Sequence, residues 1–426
     1  MIICYNESFM KKLVNNVLNY IDEHEKLFLV LLLLYFLIRG ITYEETAFTL
    51  MPVTTAIVFI IEVLKVGYIK IDFREILIVV SLLLFYFIWG QYQLMGIGAA
   101  LMSVGFYYMG KSISLVHFDD KRKTIEFVAI SFMLGIFILG VLSYIPFFMN
   151  SINHGAWIEI WKSFWRGNDV PRTDFDQYFA PFGGLLFYSG YKIYTKDRIG
   201  MFYLIIALGA FVIPCLSEGR MVLCTSILTF GITIVLIGIR HIEDKKIVKR
   251  VCTFVSVCLG LFAIGEIAMY FDILGLGTLF KNSWLNGSMG LLHNIRFNMK
   301  ADSLKLLIRY PWGRCDVPML YPFYNNLPYD DPHDLWLLVA RRSGIIPFLL
   351  FIGIAVVSTT DLIKLWIRKR VETSTTICLT GGFYSINLYC WCESVLFARP
   401  YMWVFNCFVW GMIRGLNLSY ENEQKG

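Results

Sequence analysis

Ser343-Gly-Ile-Ile-Pro-Phe-Leu-Leu-Phe-Ile-Gly-Ile-Ala-Val-Val-Ser-Thr-Thr-Asp-Leu362 holds a single formal charge, Asp361. As a helix rising about 1.5 Å per residue it covers about 30 Å, the hydrocarbon thickness of a bilayer. The rest of the chain is built in the same way. Of its 426 residues 57% are apolar and 16% charged, and the mean hydropathy is +0.61. Such a composition cannot give a soluble globule a wetted surface. At membrane depth a helix satisfies its own backbone hydrogen bonds. The expected fold is therefore all-α and polytopic, one membrane domain over residues 1–426 with about twelve transmembrane helices.

The expected spans are 25–43, 47–64, 75–91, 93–110, 124–145, 177–195, 199–216, 221–239, 251–271, 343–362, 374–392 and 398–416. The links Gly90–Gln93 and Glu393–Ala398 are short enough to be either re-entrant or exposed turns. Charge orients the set. With both termini cytoplasmic, 24 of the 38 Lys and Arg fall inside and 14 outside, the bias that short loops show. Inside loops hold Lys65, Lys70 and Arg74, then Lys111 with Lys121 to Lys123, then Lys192, Lys196 and Arg198, and later the runs 240–250 and 364–370. The net charge of +6 follows from these loops and implies anionic lipid, with no nucleic-acid partner.

Residues 7–24 place Phe9, Leu13, Val17 and Ile21 opposite Lys11, Lys12, Asn15 and Asn16, so an interfacial helix is expected over the N-terminal stretch 1–24. The apolar run Leu27 to Ile38 leads into Arg39 and Gly40 without a small-residue cleavage site, which argues against a removed signal peptide. The ten cysteines include no CxxC pair and lie mostly in or beside spans, so they read as packing residues. No zinc spacing, P-loop or GxGxxG fingerprint occurs, so neither nucleotide hydrolysis nor a redox cofactor is supported and no cofactor is expected. No repeat relates the two halves as in inverted-repeat transporters.

Two extracytoplasmic loops are expected, 146–177 and 272–342. The first interleaves Trp157, Trp161, Phe164 and Trp165 with Glu159, Lys162 and Arg166, a pattern that fits either a bilayer-surface belt or a sugar-stacking groove. The second is the main loop. It opens with a helix at Asn294-Ile-Arg-Phe-Asn-Met-Lys, stopped by Pro311-Trp-Gly313, and later runs through Asp330-Asp-Pro-His-Asp-Leu-Trp336 into Arg341, Arg342, Ser343 and Gly344.

That order resembles the Wzy-type O-antigen and capsular polysaccharide polymerases and the related O-antigen ligases. The resemblance lies in an Arg-led helix, a Pro-x-Gly turn and a His-x-x-Leu segment before a Gly-containing span. Here these are Arg296, Ala301 and Leu304, then Pro311 with Gly313, then His333 with Leu335 to Leu337, then Gly344. A further element is Ser217-Glu-Gly-Arg220-Met at the outer mouth of a span. The match runs over roughly residues 200–355, and its specificity rests on order and side, since each motif alone is common. Two departures stand out. Many relatives have His-Asn where this chain has His333-Asp334, and Ser217 is separated from Arg220 by Glu218 and Gly219.

The resemblance implies a glycosyltransferase of the bacterial inner (plasma) membrane, with its active site extracytoplasmic. It would join oligosaccharide repeat units carried on undecaprenyl diphosphate in O-antigen, capsule or exopolysaccharide biosynthesis. An acceptor hydroxyl attacks the anomeric carbon of the donor chain while lipid diphosphate leaves with growing negative charge. Arginine meets that charge through a fixed, permanently protonated fork, so Arg296, Arg220 and His333 are the catalytic candidates. Arg220 serves either as a diphosphate contact or as an ion-pair partner of Glu218 or Glu393. His333 serves as general base, as donor to diphosphate, or as a helix-start histidine held by Asp331 or Asp334.

Arg309, Arg314, Asp334, Arg399 and Glu393 are candidate substrate-binding residues, with an Arg399–Glu393 ion pair as the structural alternative. Asp272 and Glu266 are further candidates for sugar hydroxyls. No paired acidic metal motif appears, so a metal-independent reaction is expected. Besides lipid and the lipid-linked donor, the partners implied are a flippase and a chain-length regulator. A ligase passing finished polymer to another acceptor and a lipid-linked-sugar flippase are the alternative functions; charges are few within the spans, which weighs against transport.

Overall fold

The computed structural model describes scattered residues before position 71 and then residues 71–90, 93–115, 121–154, 160–162, 169–171, 179–216, 220–275, 295–313, 319–321, 327–329, 332–369, 371–393 and 401–423. They form a helical protein. The helices are α1 (Phe73–Trp89), α2 (Gln93–Leu115), α3 (Lys121–His154), α4 (Phe182–Tyr194), α5 (Ile199–Leu216), α6 (Arg220–Arg240) and α7 (Lys245–Tyr270). They continue with α8 (Ile295–Arg309), α9 (Leu335–Ser343), α10 (Ile345–Arg368), α11 (Thr373–Cys390) and α12 (Tyr401–Glu423). Two antiparallel strand pairs, β1 (Ile160–Lys162) with β2 (Asp169–Pro171) and β3 (Met319–Tyr321) with β4 (Leu327–Tyr329), lie within the two loop regions.

Local sequence accounts for the helix ends. Asp72 caps α1, accepting from the Arg74 N–H at 2.7 Å, while Glu75 accepts from the Asp72 N–H at 2.9 Å; the two bonds together close a capping box. Pro181 stands at the start of α4, which begins at Phe182 rather than near 177, because proline supplies the helical φ and needs no donor there. At Pro146 the expected end of a span is not an end. α3 runs on through Phe147, Phe148 and Met149 to His154, since an internal proline costs one backbone bond and a helix can continue across it.

Helices occupy every apolar run from 75–91 onward, with ends shifted by a few residues; the run 47–64 lies outside the described residues. From the run 25–43, Phe36 is fully buried against Phe132 and Phe408, with ring centroids 6.4 and 4.9 Å apart. Among the described residues two helices, α10 and the stretch Lys245–Gly265 of α7, are long and apolar enough to cross a membrane, and shorter apolar helices accompany them.

The outward faces are apolar too. Ile205 of α5, Leu259 and Leu261 of α7 and Val356 of α10 are all more than half exposed. A soluble bundle would put charge at such positions, whereas lipid accepts them. Hydroxyls within the helices bond inward: Thr225, Thr229 and Thr233 each donate to the carbonyl four residues earlier, at 2.8, 2.7 and 2.7 Å. Such back-bonding satisfies a polar group where water is absent.

The tightest packing is between α2 and α12. Gly411 and Gly415, a small-x-x-x-small pair, press on the Tyr107 and Lys111 carbonyls, and any Cβ at either glycine would overlap them. This backbone-to-backbone approach is the way helices associate where no hydrophobic force drives them together.

Cross-helix contacts separate two ends of the bundle. At one end Arg74 makes a two-pronged salt bridge to Asp361, Nε–Oδ2 and Nη2–Oδ1 both 2.7 Å, and Trp410 Nε1 donates to the same carboxylate at 3.1 Å. Arg414 reaches Asp72 at 3.2 Å and Lys111 pairs with Glu75. Lys192 holds Glu126 at 3.2 Å, and Arg240 donates to the Lys369 and Val371 carbonyls. At the other end Ser343 Oγ donates to the Phe85 carbonyl at 2.6 Å, and the Arg342 guanidinium sits 5.4 Å from the centre of the Trp89 ring. α1 and α10 are therefore antiparallel.

Candidate functional site

α8 leads the assembly at the second end. Its buried side rests on Met299 and on Ser303, whose hydroxyl donates to the Met299 carbonyl at 2.9 Å. Pro311 and Gly313 stop it, with Tyr310 still bonded to the Leu306 carbonyl at 2.8 Å and Gly313 to the Tyr310 carbonyl at 3.0 Å. The turn then docks on the corner between α9 and α10. Ile345 N–H donates to the Pro311 carbonyl at 2.8 Å, and Gly313 and Gly344 meet backbone to backbone with φ of 79° and 85°. Only glycine combines that left-handed φ with so close an approach.

α9 begins just after His333. Asp334 caps it, accepting from the Leu337 N–H at 3.1 Å, and is fully buried. His333 itself holds φ of +46°, in the left-handed region that is uncommon for residues other than glycine. Its Nδ1 lies 2.9 Å from Glu393 Oε2, just past the end of α11. Beside it Lys300 of α8 pairs with Asp334 at 2.9 Å and bonds the Trp391 carbonyl. Burial pushes the Asp334 carboxyl up, with Lys300 and the backbone N–H of Leu337 pulling the other way. The loop before α9 is thus tied to the α11 terminus directly by His333–Glu393 and through Lys300 of α8, which bridges Asp334 and the Trp391 carbonyl.

Aromatic side chains form the floor. Trp336, 2% exposed, packs on Trp403 and Trp391 at centroid distances of 6.3 and 6.1 Å, while Trp391 leaves about half its surface open (51%) next to Glu393. A cationic and carboxylate cluster beside an open indole suits sugar rings and phosphate oxygens. Among the described residues no three His, Cys, Asp or Glu side chains gather where they could hold a metal ion.

Of the catalytic candidates, His333 has its side chain in this cluster. Arg296 sits in the first turn of α8, one turn before Lys300 and so on the same helical face, and Arg220 is the first residue of α6; their side chains lie outside the described residues. Among the binding candidates, Asp334 and Glu393 come together here. Arg309 is exposed, nine residues and half a rotation from Lys300, with its guanidinium 5.6 Å from the Tyr310 ring. Asp272 is exposed just beyond α7, while Arg314 and Arg399 lie outside the described residues.

Two residues of the cluster, Lys300 and Trp391, and the buried Arg341 of α9 were not singled out from the sequence. Lys300 could have been found by its i,i+4 spacing from Arg296. Arg341, 1% exposed in the last turn of α9, was signalled by a doublet of arginines ending an apolar run. Trp391 carried no signal, since tryptophan at a span end reads as an interfacial anchor. No protein-family model matches the chain, and a comparison with curated proteins returns no match.

Proposed function

We propose that this chain is a Wzy-type polysaccharide polymerase, crossing the bacterial inner membrane about twelve times and joining undecaprenyl-diphosphate-linked repeat units at the outer face. The observation that carries the reading is the meeting of the separated motif elements. The helix begun at Ile295, the Pro311–Gly313 turn, His333 and Gly344 all converge at one end of the bundle, with Glu393 added from α11. These elements come from about a quarter of the chain and meet beside the hydrogen-bonded His333–Glu393 pair.

The polytopic reading is supported by the alternation of ends. Arg74 and Lys111, both expected in cytoplasmic loops, join one network with Asp72, Glu75, Asp361 and Arg414, and the His333 cluster occupies the opposite end. In the proposed reaction Arg296 and Arg220 bind the donor diphosphate. The His333–Glu393 pair takes the proton from the acceptor hydroxyl, Glu393 stabilising the imidazolium that forms. Trp391 offers its open face to the sugar, and the polyprenyl tail stays in lipid.

The test is elongation of a defined undecaprenyl-diphosphate repeat unit by the purified protein, with and without EDTA. A ladder of lipid-linked products, lost in folded Arg296→Ala and His333→Ala variants, supports the assignment. A protein that consumes donor only when a separate acceptor is supplied is a ligase, and no turnover of authentic donor sinks both.

A further inference from the structure

One face of α7 changes character along its length. Lys246, Lys249 and Arg250 recur at helical spacing and lead on the same side into Thr253, Phe254 and Val257, and together they line a pocket of about 530 Å³. All six are exposed. The three cations stand at the end of the bundle that holds Arg240 and Lys369, opposite His333. None of the ion pairs among the described residues engages them. Asp244, just before α7, accepts from the Lys246 and Ile247 backbone N–H groups at 2.9 and 3.3 Å, and Glu243 pairs with Lys369.

Beyond the cations the same face becomes the wall of a larger cavity. Gly238 lets α6 and α7 approach closely near that end, a Cβ there lying 3.1 Å from Val251, whereas further along α7 a Cβ at Gly260 would meet nothing within 4 Å. The crevice so formed has a volume of about 990 Å³, and its walls include Leu186 of α4, Phe211 of α5, Phe230 and Gly231 of α6, and Phe254 and Leu259 of α7. Phe254 lines both pockets, so the basic and apolar parts are continuous. Ile227 and Leu228, also in the wall, are more than half exposed, and the crevice opens sideways out of the bundle. Gly231 leaves a gap on α6, since a Cβ there would also meet nothing within 4 Å.

Depth selects the occupant. From Arg250 to Leu259 a helix rises about 14 Å, close to half of the roughly 30 Å hydrocarbon layer. Cations at the boundary and an apolar crevice one leaflet deep match a phospholipid, head to tail. A polyprenyl donor read by the His333 cluster has its diphosphate at the opposite face, away from these cations. We propose that α7 and the crevice bind an anionic phospholipid of the cytoplasmic leaflet, its phosphate at Lys246, Lys249 and Arg250 and an acyl chain between α6 and α7. The phosphate oxygens accept from ammonium and guanidinium groups that have no carboxylate of their own, and the chain fills a space that no side chain fills. The proposal rests on the membrane reading, which puts this end in the cytoplasm, and uses no residue of the His333 cluster.

The experiment is native mass spectrometry of the full-length protein released from nanodiscs of phosphatidylcholine and phosphatidylglycerol, with undecaprenyl phosphate as competitor. Wild type retains phosphatidylglycerol in preference to phosphatidylcholine. Lys249→Gln combined with Arg250→Gln lowers that preference about tenfold or more, at about fivefold per cation. Lys364→Gln on α10, an exposed cation that lines neither pocket, changes it little. Gly231→Leu leaves the cations in place but fills the crevice, and retention is lost without loss of fold because the site has room for the side chain. It keeps the test decisive where the charge variant does not insert. Equal retention of the two phospholipids, or a Gly231→Leu variant that binds phosphatidylglycerol as wild type does, overturns the proposal. So does preferred retention of undecaprenyl phosphate, which assigns the crevice to the donor's tail, and so do two-chain ions in place of lipid adducts, which assign it to a second copy. No turnover is read, so failure here leaves the polymerase reading standing, and a failed elongation assay leaves this one.

Discussion

His333 Nδ1 and Glu393 Oε2 are 2.9 Å apart, although sixty residues of chain separate them. The pair closes the loop before α9 onto the end of α11, while neighbouring Asp334 caps α9 and meets Lys300, and Asp331 lies outside the described residues. If the pair moves the acceptor proton, His333→Ala and Glu393→Gln each slow elongation about a hundredfold. The double variant is no slower than the worse single one, because both remove one coupled unit. Additive losses in measured turnover would refute the coupling.

Gly313 and Gly344 tie the α8 turn to the corner that starts α10. Gly344→Ala places a Cβ against the Pro311–Gly313 backbone and forces a left-handed φ on a side chain, at a cost of about 2–4 kcal/mol. Its thermal midpoint falls, and elongation falls with it. Trp312→Ala in the same turn, with an exposed side chain, leaves the midpoint nearly unchanged.

Gly411→Leu tests the α2–α12 contact. The new side chain has no room against the Tyr107 carbonyl, and separating the helices also disturbs the Tyr107–Trp410 ring contact at 5.0 Å. Loss of folded protein in detergent, scored by size exclusion and thermal unfolding, is the expected outcome. Leucine at exposed Gly190, where nothing lies within 4 Å, is the matched control.

Asp361→Asn removes the countercharge of the largely buried Arg74, leaving Asp72 beside it, and offers Trp410 Nε1 a neutral amide oxygen in place of a carboxylate. Breaking one member of such a pair costs about 3–5 kcal/mol, while the matched replacement of both partners by apolar residues is milder. A double-mutant cycle on unfolding free energy measures the difference.

Two aspartates have opposite pH signatures. Burial alone would raise Asp72, but the Arg74 N–H and guanidinium, Arg414 and Lys111 hold it below its ordinary 3.8. Its stabilisation is therefore present above 3.8 and lost as pH falls through the lowered value. Burial raises Asp334 above 3.8 despite Lys300, so the folded protein keeps that proton to higher pH than the unfolded chain. Its contribution is greatest below 3.8 and declines as pH rises through the raised value. In unfolding curves against pH, Asp72→Asn flattens the acid limb and Asp334→Asn the limb above it, the latter keeping the cap because asparagine also accepts from the helix N–H.

Helix positions were legible in the sequence because lipid admits few ways to satisfy a backbone, so each apolar run declares its own structure over a length set by the bilayer. The stop of α8 at Pro311 and Gly313 was local chemistry of the same kind. What only the tertiary structure decided are the pairings: Glu393 with His333, Lys300 with Asp334, the burial of Arg341, and Gly411 against Tyr107. Those depend on which helices lie side by side and in what rotation. An apolar helix with apolar residues on every face gives no periodic stripe to reveal its neighbours, and small-residue contacts and buried ion pairs make the choice instead.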